Sequence, residues 1–360
     1  MPSIAARMAI ADPMQDAMAA RRSQPGSSPL RCLPSPSQAG GTRRRGTHET
    51  TIRSAKSFSD FLQRLQASRS LRQAQRTFSV DASGIREGGM DARLQRRVQR
   101  YGWDKAACHY ERSWQDQLEP AQTTLIEMAC LAPGQRVLDV ACGTGLVTLR
   151  AAALVGPNGT VIGTDLSEEM VVTARDKAHT RGIPNVTFER MDAEEILFNA
   201  GAFDVVLCAL GLMYAPDPEK AFVEMHRVSR PGGRATCAVW GQRSKCGWAE
   251  IFPIVDARVH SEVCPMFFRL GAGDALERAF ASAGFRAITS KRLETRLDYA
   301  SAAEACEAAF MGGPVALAYS RFSESMKADA HKEYLDSLSR YRQGDGYAVP
   351  GEFVVVAGTK

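Results

Sequence analysis

Apolar and polar positions follow no regular spacing over residues 1–56 of this chain, which are rich in Arg, Ser, Pro and Gly ("RRSQPGSSPLRCLPSPSQAGGTRRRG"). A segment of that kind buries too little surface to offset its ordering entropy, which predicts disorder. One patch, "FSDFLQRL", sets Phe58, Phe61, Leu62 and Leu65 at helical spacing and predicts a short helix. From Met90 the rhythm becomes regular. "MDARLQRRVQRYGWDKAACHYERSWQDQLEPAQTTLIEMACL" reads as helical segments, with Leu125, Met128, Ala129 and Leu131 as an apolar stripe. Strands and helices then alternate. Strands are expected at 136–141, 160–165, 185–192, 203–210 and 234–240. Helices are expected at 144–155, 167–180 and 218–227, the second capped by Ser167 and the third opened by Asp217-Pro218.

Alternation at this spacing implies an α/β fold with a doubly wound parallel sheet and right-handed crossovers. The C-terminal part departs from it. A helix over 273–285 and a long strand over 286–299 precede helical stretches near 301–310 and 322–340, and "EFVVVAG" (352–358) is a last strand. Segments 242–270 and 300–350 read as insertions above the sheet. No internal repeat is visible, and no run of about 18 apolar residues predicts a membrane span.

Charge divides the chain unequally. Residues 1–89 hold 14 Lys/Arg against 6 Asp/Glu, a balance of +8, and the remaining residues hold 31 against 34, a balance of −3. The basic character therefore belongs to the tail, and the body has no electrostatic footprint for nucleic acid. Three readings fit the tail: a basic arm for nucleic acid or membrane, an organelle transit peptide within 1–56, or an over-extended start. The third is favoured. Met90 opens the first patterned segment, and Glu87-Gly88-Gly89 must be encoded by purine-rich codons, as a bacterial ribosome-binding site would be. This gives a disordered tail over 1–89 and one domain over 90–360, with lid segments at 90–130, 242–270 and 300–350. The nine cysteines are odd in number and form no C-x-x-C pair. That pattern implies reduced, mostly buried thiols in a cytoplasmic setting and no metal site.

The candidate chemistry lies in "RVLDVACGTGLVTLR". A tight strand-to-helix turn with glycines lets a ligand approach the backbone closely at a helix N-terminus. Gly143-Thr144-Gly145 lacks the third glycine of the dinucleotide fingerprint, being followed by Leu146-Val147-Thr148. Asp139 is an acid inside a strand, costly unless partnered. Asp165 follows the next strand, where a ribose diol would lie. Asp192 ends the third strand, where an exocyclic amine would find an acceptor. Three acids at the carboxyl ends of three successive strands suit a ligand with a ribose, a purine amine and positive charge, and suit a pyrophosphate poorly.

"VLDVACGTG", "GTDLSEEM", "MDAE" and "FDVVLCALGLMYAPDPEKAFVEMHRVSRPGG", in that order, resemble a class I S-adenosylmethionine-dependent methyltransferase. The resemblance is to the group around the ubiquinone/menaquinone-biosynthesis C-methyltransferases (the methyltransferase type 11 domain). It covers about residues 100–285 and extends poorly into the C-terminal insertions. It implies a seven-stranded Rossmann-like sheet of order 3-2-1-4-5-7-6 with the last strand antiparallel, and S-adenosylmethionine as cofactor. Ala141, Gly143, Thr144 and Gly145 would pack against its methionine part, and Asp139 would organise that loop and meet the amino group. Asp165 would bind the ribose hydroxyls, with Leu166 and Met170 flanking the adenine. Asp192 would take the adenine amine beside Ala193, Ala209 would touch the methionine part, and Tyr110 would close over the cofactor.

Each feature also has a plainer reading, as a paired structural acid, a helix cap or a core aromatic. The methyl donor is already activated, so no catalytic side chain is assigned. Tyr214, His226 and His260 are candidate bases by type or position, and Trp103, Trp114 and Trp248 are candidate walls of an acceptor pocket. The expected activity is methyl transfer to a small aromatic or quinone-like acceptor. The alternatives are another acceptor (a natural product, or arsenite held by thiols such as Cys246 and Cys264) and a non-catalytic cofactor-binding module. An NAD oxidoreductase is disfavoured by the missing glycine.

Overall fold

The computed structural model describes residues 92–259 and 267–360. The basic tail, its "FSDFLQRL" patch, His260 and Cys264 lie outside the described residues.

The strands are β1 (Arg136–Val140), β2 (Thr160–Asp165), β3 (Val186–Arg190), β4 (Phe203–Ala209), β5 (Ser229–Trp240), β6 (Arg286–Tyr299), β7 (Arg342–Gln343) and β8 (Gly346–Thr359). The sheet order is β3-β2-β1-β4-β5-β8-β6, with β7 paired to β8. The order implied by the resemblance is found with one addition: the two-residue β7 folds back on β8, so the last strand is the eighth. Neighbouring strands from β1 to β5 run parallel, and β8 lies antiparallel to both β5 and β6. β1 is buried from Val137 onward on both faces, as a central parallel strand requires. β3 and β6 are the edges, and in β6 Lys291, Arg292, Glu294, Arg296 and Asp298 give the charged character that discourages edge-to-edge pairing.

The helices flanking the first strands are α1 (Ala92–Ala129), α2 (Leu146–Val155), α3 (Glu168–Thr180) and α4 (Pro218–Val228). α3 is capped by Ser167, whose hydroxyl accepts from the Met170 N–H, and α4 by Asp217, which accepts from the Lys220 N–H. The expected helical segments of 90–131 are one 38-residue helix, α1, which continues through Pro120. Short helices α5 (Ile251–Asp256), α6 (Ala275–Ser282), α7 (Ala302–Phe310), α8 (Ala316–Tyr319) and α9 (Glu324–Ser337) complete the described chain. No helix among the described residues is long and apolar enough to cross a membrane.

Cys142, Cys208, Cys237, Cys246 and Cys306 are buried free thiols and Cys130 is an exposed one.

The sheet order reverses between β1 and β4. From β1 the chain winds outward through β2 to β3, then returns to the other side of β1 as β4. Such a reversal parts the loops at the carboxyl ends of the two strands and opens a crevice there.

Candidate functional site

The crevice is a cleft of about 90 Å³. Its floor comes from the loops after β1 to β4, and its roof from one face of α1, where Arg96, Gln99, Trp103 and Tyr110 stand at helical spacing. Both strands at the reversal end in a non-glycine residue in the left-handed region, Ala141 (φ 54°) and Leu210 (φ 63°). Each such residue costs about 1–3 kcal/mol and persists only where the surroundings fix it. Gly211 packs against that turn so closely that a Cβ there would sit 2.3 Å from the Ala141 Cβ. Gly145 (φ 82°) begins α2 and touches Phe188 and Ala174, so its missing side chain serves helix packing rather than ligand access.

Asp165 organises the glycine loop. Its Oδ2 accepts from the Gly143 N–H and its Oδ1 from the Ser167 N–H, both at 2.9 Å. Burial raises its carboxyl to about 6, against the pull of those two N–H groups. Asp139 was expected to hold the loop; its bond is instead to α2, where the Thr148 hydroxyl donates to Oδ2 at 2.6 Å. Asp139 is 1% exposed, and its Oδ1 has no hydrogen-bond partner. Burial raises this carboxyl to about 7; the Thr148 hydroxyl and N–H oppose that and nearby Asp165 adds to it. The reason for the exchange is the left-handed turn at Ala141 and Gly143, which carries the Gly143 N–H to the end of β2.

Asp192 is committed to local contacts. The Glu194 N–H donates to Oδ1 at 2.9 Å, and the Arg96 guanidinium pairs with Oδ2 at 2.8 Å. Arg96 also pairs with buried Glu194, which accepts from the Asp217 N–H. Two further links tie α1 to the floor. The Ser167 hydroxyl donates to Asp104 at 2.6 Å, and the Thr144 hydroxyl donates to Glu111. Lys177 of α3 joins the latter cluster, pairing with Glu111 and donating to the Thr144 carbonyl. Burial depresses its ammonium while Glu111 opposes that shift. One helix is thus pinned to the loops after β1, β2 and β3.

Of the residues singled out from sequence, Tyr110, Ala141, Gly143, Asp165, Leu166, Met170, Asp192, Ala193 and Ala209 line the cleft. Asp139, Thr144 and Gly145 lie behind the lining. Burial and the nearby acids, Asp165 foremost, raise the Tyr110 hydroxyl above its ordinary range. Sequence reasoning missed Arg96, Gln99, Met191, Leu210, Gly211, Ala215 and Pro216. The available signal was the Arg96-Gln99-Trp103 spacing on a helix that also carries Tyr110.

Beyond β4 the lining is uncharged: Ala209, Leu210, Gly211, Tyr214, Ala215 and Pro216. Trp103 meets Tyr214 edge-on with centroids 5.0 Å apart, and Tyr214 meets Phe267 at 5.3 Å. Trp114 and Trp248 are instead core, packed with Trp240. His226 lies outside the cleft lining, its ring against Phe285, and burial lowers its pKa. Cys246 is buried with its Sγ toward the Glu352 carbonyl, and burial raises its thiol to about 12, far from the thiolate a soft metal needs. Among the described residues no group of three or more His, Cys, Asp or Glu could hold a metal ion.

Residues 137–233 match the family described as "Methyltransferase domain". A demethylmenaquinone methyltransferase of Geobacillus kaustophilus is 33% identical over 155 residues, which is 42% of this chain and 66% of that protein. The ubiquinone/menaquinone biosynthesis C-methyltransferase UbiE of Ectopseudomonas mendocina is 43% identical over 110 residues, 30% of this chain and 43% of that protein. The chain spans less than two thirds of the length of these relatives. Among solved structures it is similar to the YcgJ protein from Bacillus subtilis, 19% identical with a TM-score of 0.48, covering 67% of this chain and 98% of that one. Residues 137–233 thus match a methyltransferase domain, and over part of their length they resemble the methyltransferases of quinone biosynthesis.

Proposed function

We propose that the chain transfers a methyl group from S-adenosylmethionine to a small, neutral, aromatic or quinone-like acceptor. The observation that carries this reading is the convergence of Tyr110, Asp165, Met170 and Asp192 on one cleft at the Gly143 turn, with the Oδ1 of Asp139 buried behind that turn without a hydrogen-bond partner. A buried carboxylate oxygen without a partner is costly, and an ammonium group satisfies it. The residues present fit the cofactor. Asp139 would hold the amino group and the remaining lone pairs of Asp165 the ribose hydroxyls. Leu166 and Met170 would flank the base near Asp192 and Ala193. Ala141, Gly143 and Ala209 would line the methionine part, with Thr144 and Gly145 shaping the loop and Tyr110 as roof.

When bound, S-adenosylmethionine supplies a methyl group already activated on a sulfonium sulfur. The chain's part is to bind, orient and exclude water, and no nucleophilic side chain is required. The uncharged end beyond β4, with Trp103 and Tyr214, favours a neutral planar acceptor over an ionic one. The names of the two relatives point to quinone precursors as the first acceptors to try. The working domain is read as 90–360, roofed by α1.

Calorimetry with S-adenosylmethionine, S-adenosylhomocysteine and NADH tests the cofactor class. Binding of the first two is expected, and NADH binding without the sulfonium would overturn the reading. A methyl-transfer screen read by mass spectrometry against quinols, phenols, amines and arsenite then identifies the acceptor.

A further inference from the structure

Gln99 is buried at 4% exposure near the N-terminal end of α1, where Gln is costly unless its amide is bonded. It lines the cleft, and its Nε2 has no hydrogen-bond partner. It lies one turn from Arg96 on one side and one turn from Trp103 on the other. Arg96 is fixed on Asp192 and Glu194, so Gln99 lies beside the β3 end of the floor, where Met191, Asp192 and Ala193 also line the cleft. Asp192, the acid that the resemblance assigns to the base, already receives the Glu194 N–H and the Arg96 guanidinium. Two donors lining this end are buried without a hydrogen-bond partner, Arg96 Nε and Gln99 Nε2; the first is ion-paired with Asp192, and Gln99 is the uncharged one left over.

A carboxamide presents one donor and one acceptor side by side. Adenine presents the complementary pair on its N6/N7 edge, an amine donor beside a ring-nitrogen acceptor, and Gln meets that edge with two bonds. We propose that Gln99 reads the adenine base of the cofactor, its Nε2 donating to N7 and its Oε1 accepting from the N6 amine. Arg96 then acts as a positioning residue. By neutralising Asp192 and Glu194 it fixes the turn of α1 that carries Gln99. This inference rests on the reading of the cleft as a site for S-adenosylmethionine. It adds a reader on the helix above to the acid after β3, whose carboxylate keeps lone pairs beyond those two contacts.

The test uses S-adenosylhomocysteine, its 7-deaza analogue, in which N7 becomes C–H, and S-inosylhomocysteine, which lacks the N6 amine. Calorimetry on the full chain is expected to show the wild type losing about tenfold in affinity for each analogue, the scale of one hydrogen bond left unmade. Gln99→Leu should lose about tenfold for S-adenosylhomocysteine and bind it and the 7-deaza analogue with the same Kd. A wild type that binds the parent and the 7-deaza analogue equally overturns the proposal without any variant. So does a Gln99→Leu protein that still discriminates between them. A wild type that binds no S-adenosylhomocysteine overturns the cofactor reading itself, and the inference with it.

Discussion

After β1, β2 and β3 the cleft is closed by charged side chains of one helix: Glu111 on Thr144, Asp104 on Ser167, and Arg96 on Asp192 and Glu194. After β4 it is closed by rings, Trp103 on Tyr214 and Tyr214 on Phe267. The first closure is directional. Each link fixes a donor against an acceptor and so holds the floor in one geometry. The second is held by area and ring edges, which admit ligands of many outlines. A cleft built this way would hold an invariant polar ligand at one end and leave the other free to vary.

The largest expected effect separates the ends by pH. Asp139 and Asp165 lose their protons near 3.8 when unfolded and near 7 and 6 when folded. Between those values the folded state holds more protons, so stability falls as pH rises through the window and is highest below it. The loss for the ligand-free protein is on the order of a few kcal/mol between pH 4 and 7, since each tenfold difference in proton affinity between the two states is worth about 1.4 kcal/mol. Thermal unfolding from pH 4.5 to 8 should show this decline, with a shallower slope in Asp139→Asn. Equal slopes in the two proteins would remove Asp139 from the account. Saturating S-adenosylhomocysteine should flatten the decline, because an ammonium beside Oδ1 favours the ionised acid.

The next effect falls on the floor itself. Asp165→Ala removes the acceptor of two N–H donors, and bonds to a charged group are each worth about 1.5–3 kcal/mol. S-adenosylhomocysteine affinity is expected to drop on the order of 100-fold with the far-ultraviolet circular dichroism unchanged. An unaltered Kd would mean that the loop after β1 holds itself.

The charged end was legible in sequence because Asp139, Asp165 and Asp192 each close an apolar run, and the carboxyl ends of parallel strands form one rim. The division of labour between Asp139 and Asp165 was not legible. It depends on the left-handed turn at Ala141 and Gly143, which sends an amide across to the neighbouring strand. The roof was hidden for a different reason. "RLQRRVQRYGWD" looks like a solvated helix face, yet Gln99 within it is buried. β7 escaped because two residues have no periodicity; only the turn at Gly344 (φ 60°) returns them to β8. The aromatic end resisted for the same reason as the roof. Its rings come from α1, from the turn after β4 and from Phe267, which meet only in the folded chain.

The smallest expected effect tests whether that aromatic end belongs to the acceptor. Trp103 touches Tyr214 and Tyr110 edge-on, at 5.0 and 5.9 Å. Each such pair contributes about 0.5–1.5 kcal/mol beyond area burial. If the rings only packed the cleft, Trp103→Ala would loosen α1 and weaken every ligand in parallel with the melting temperature. If they shape the acceptor's place, the losses separate. The KM of the acceptor found in the screen should rise about tenfold, and the Kd of S-adenosylhomocysteine should stay within about threefold. Trp103→Phe should recover most of the KM, since a planar apolar face is what the site would use. A matched loss of both affinities in Trp103→Ala, unrepaired by Phe, would make the two ends of the cleft a single unit held by α1. The contrast between charged and aromatic closures would then be one of composition, with no division of ligand between them.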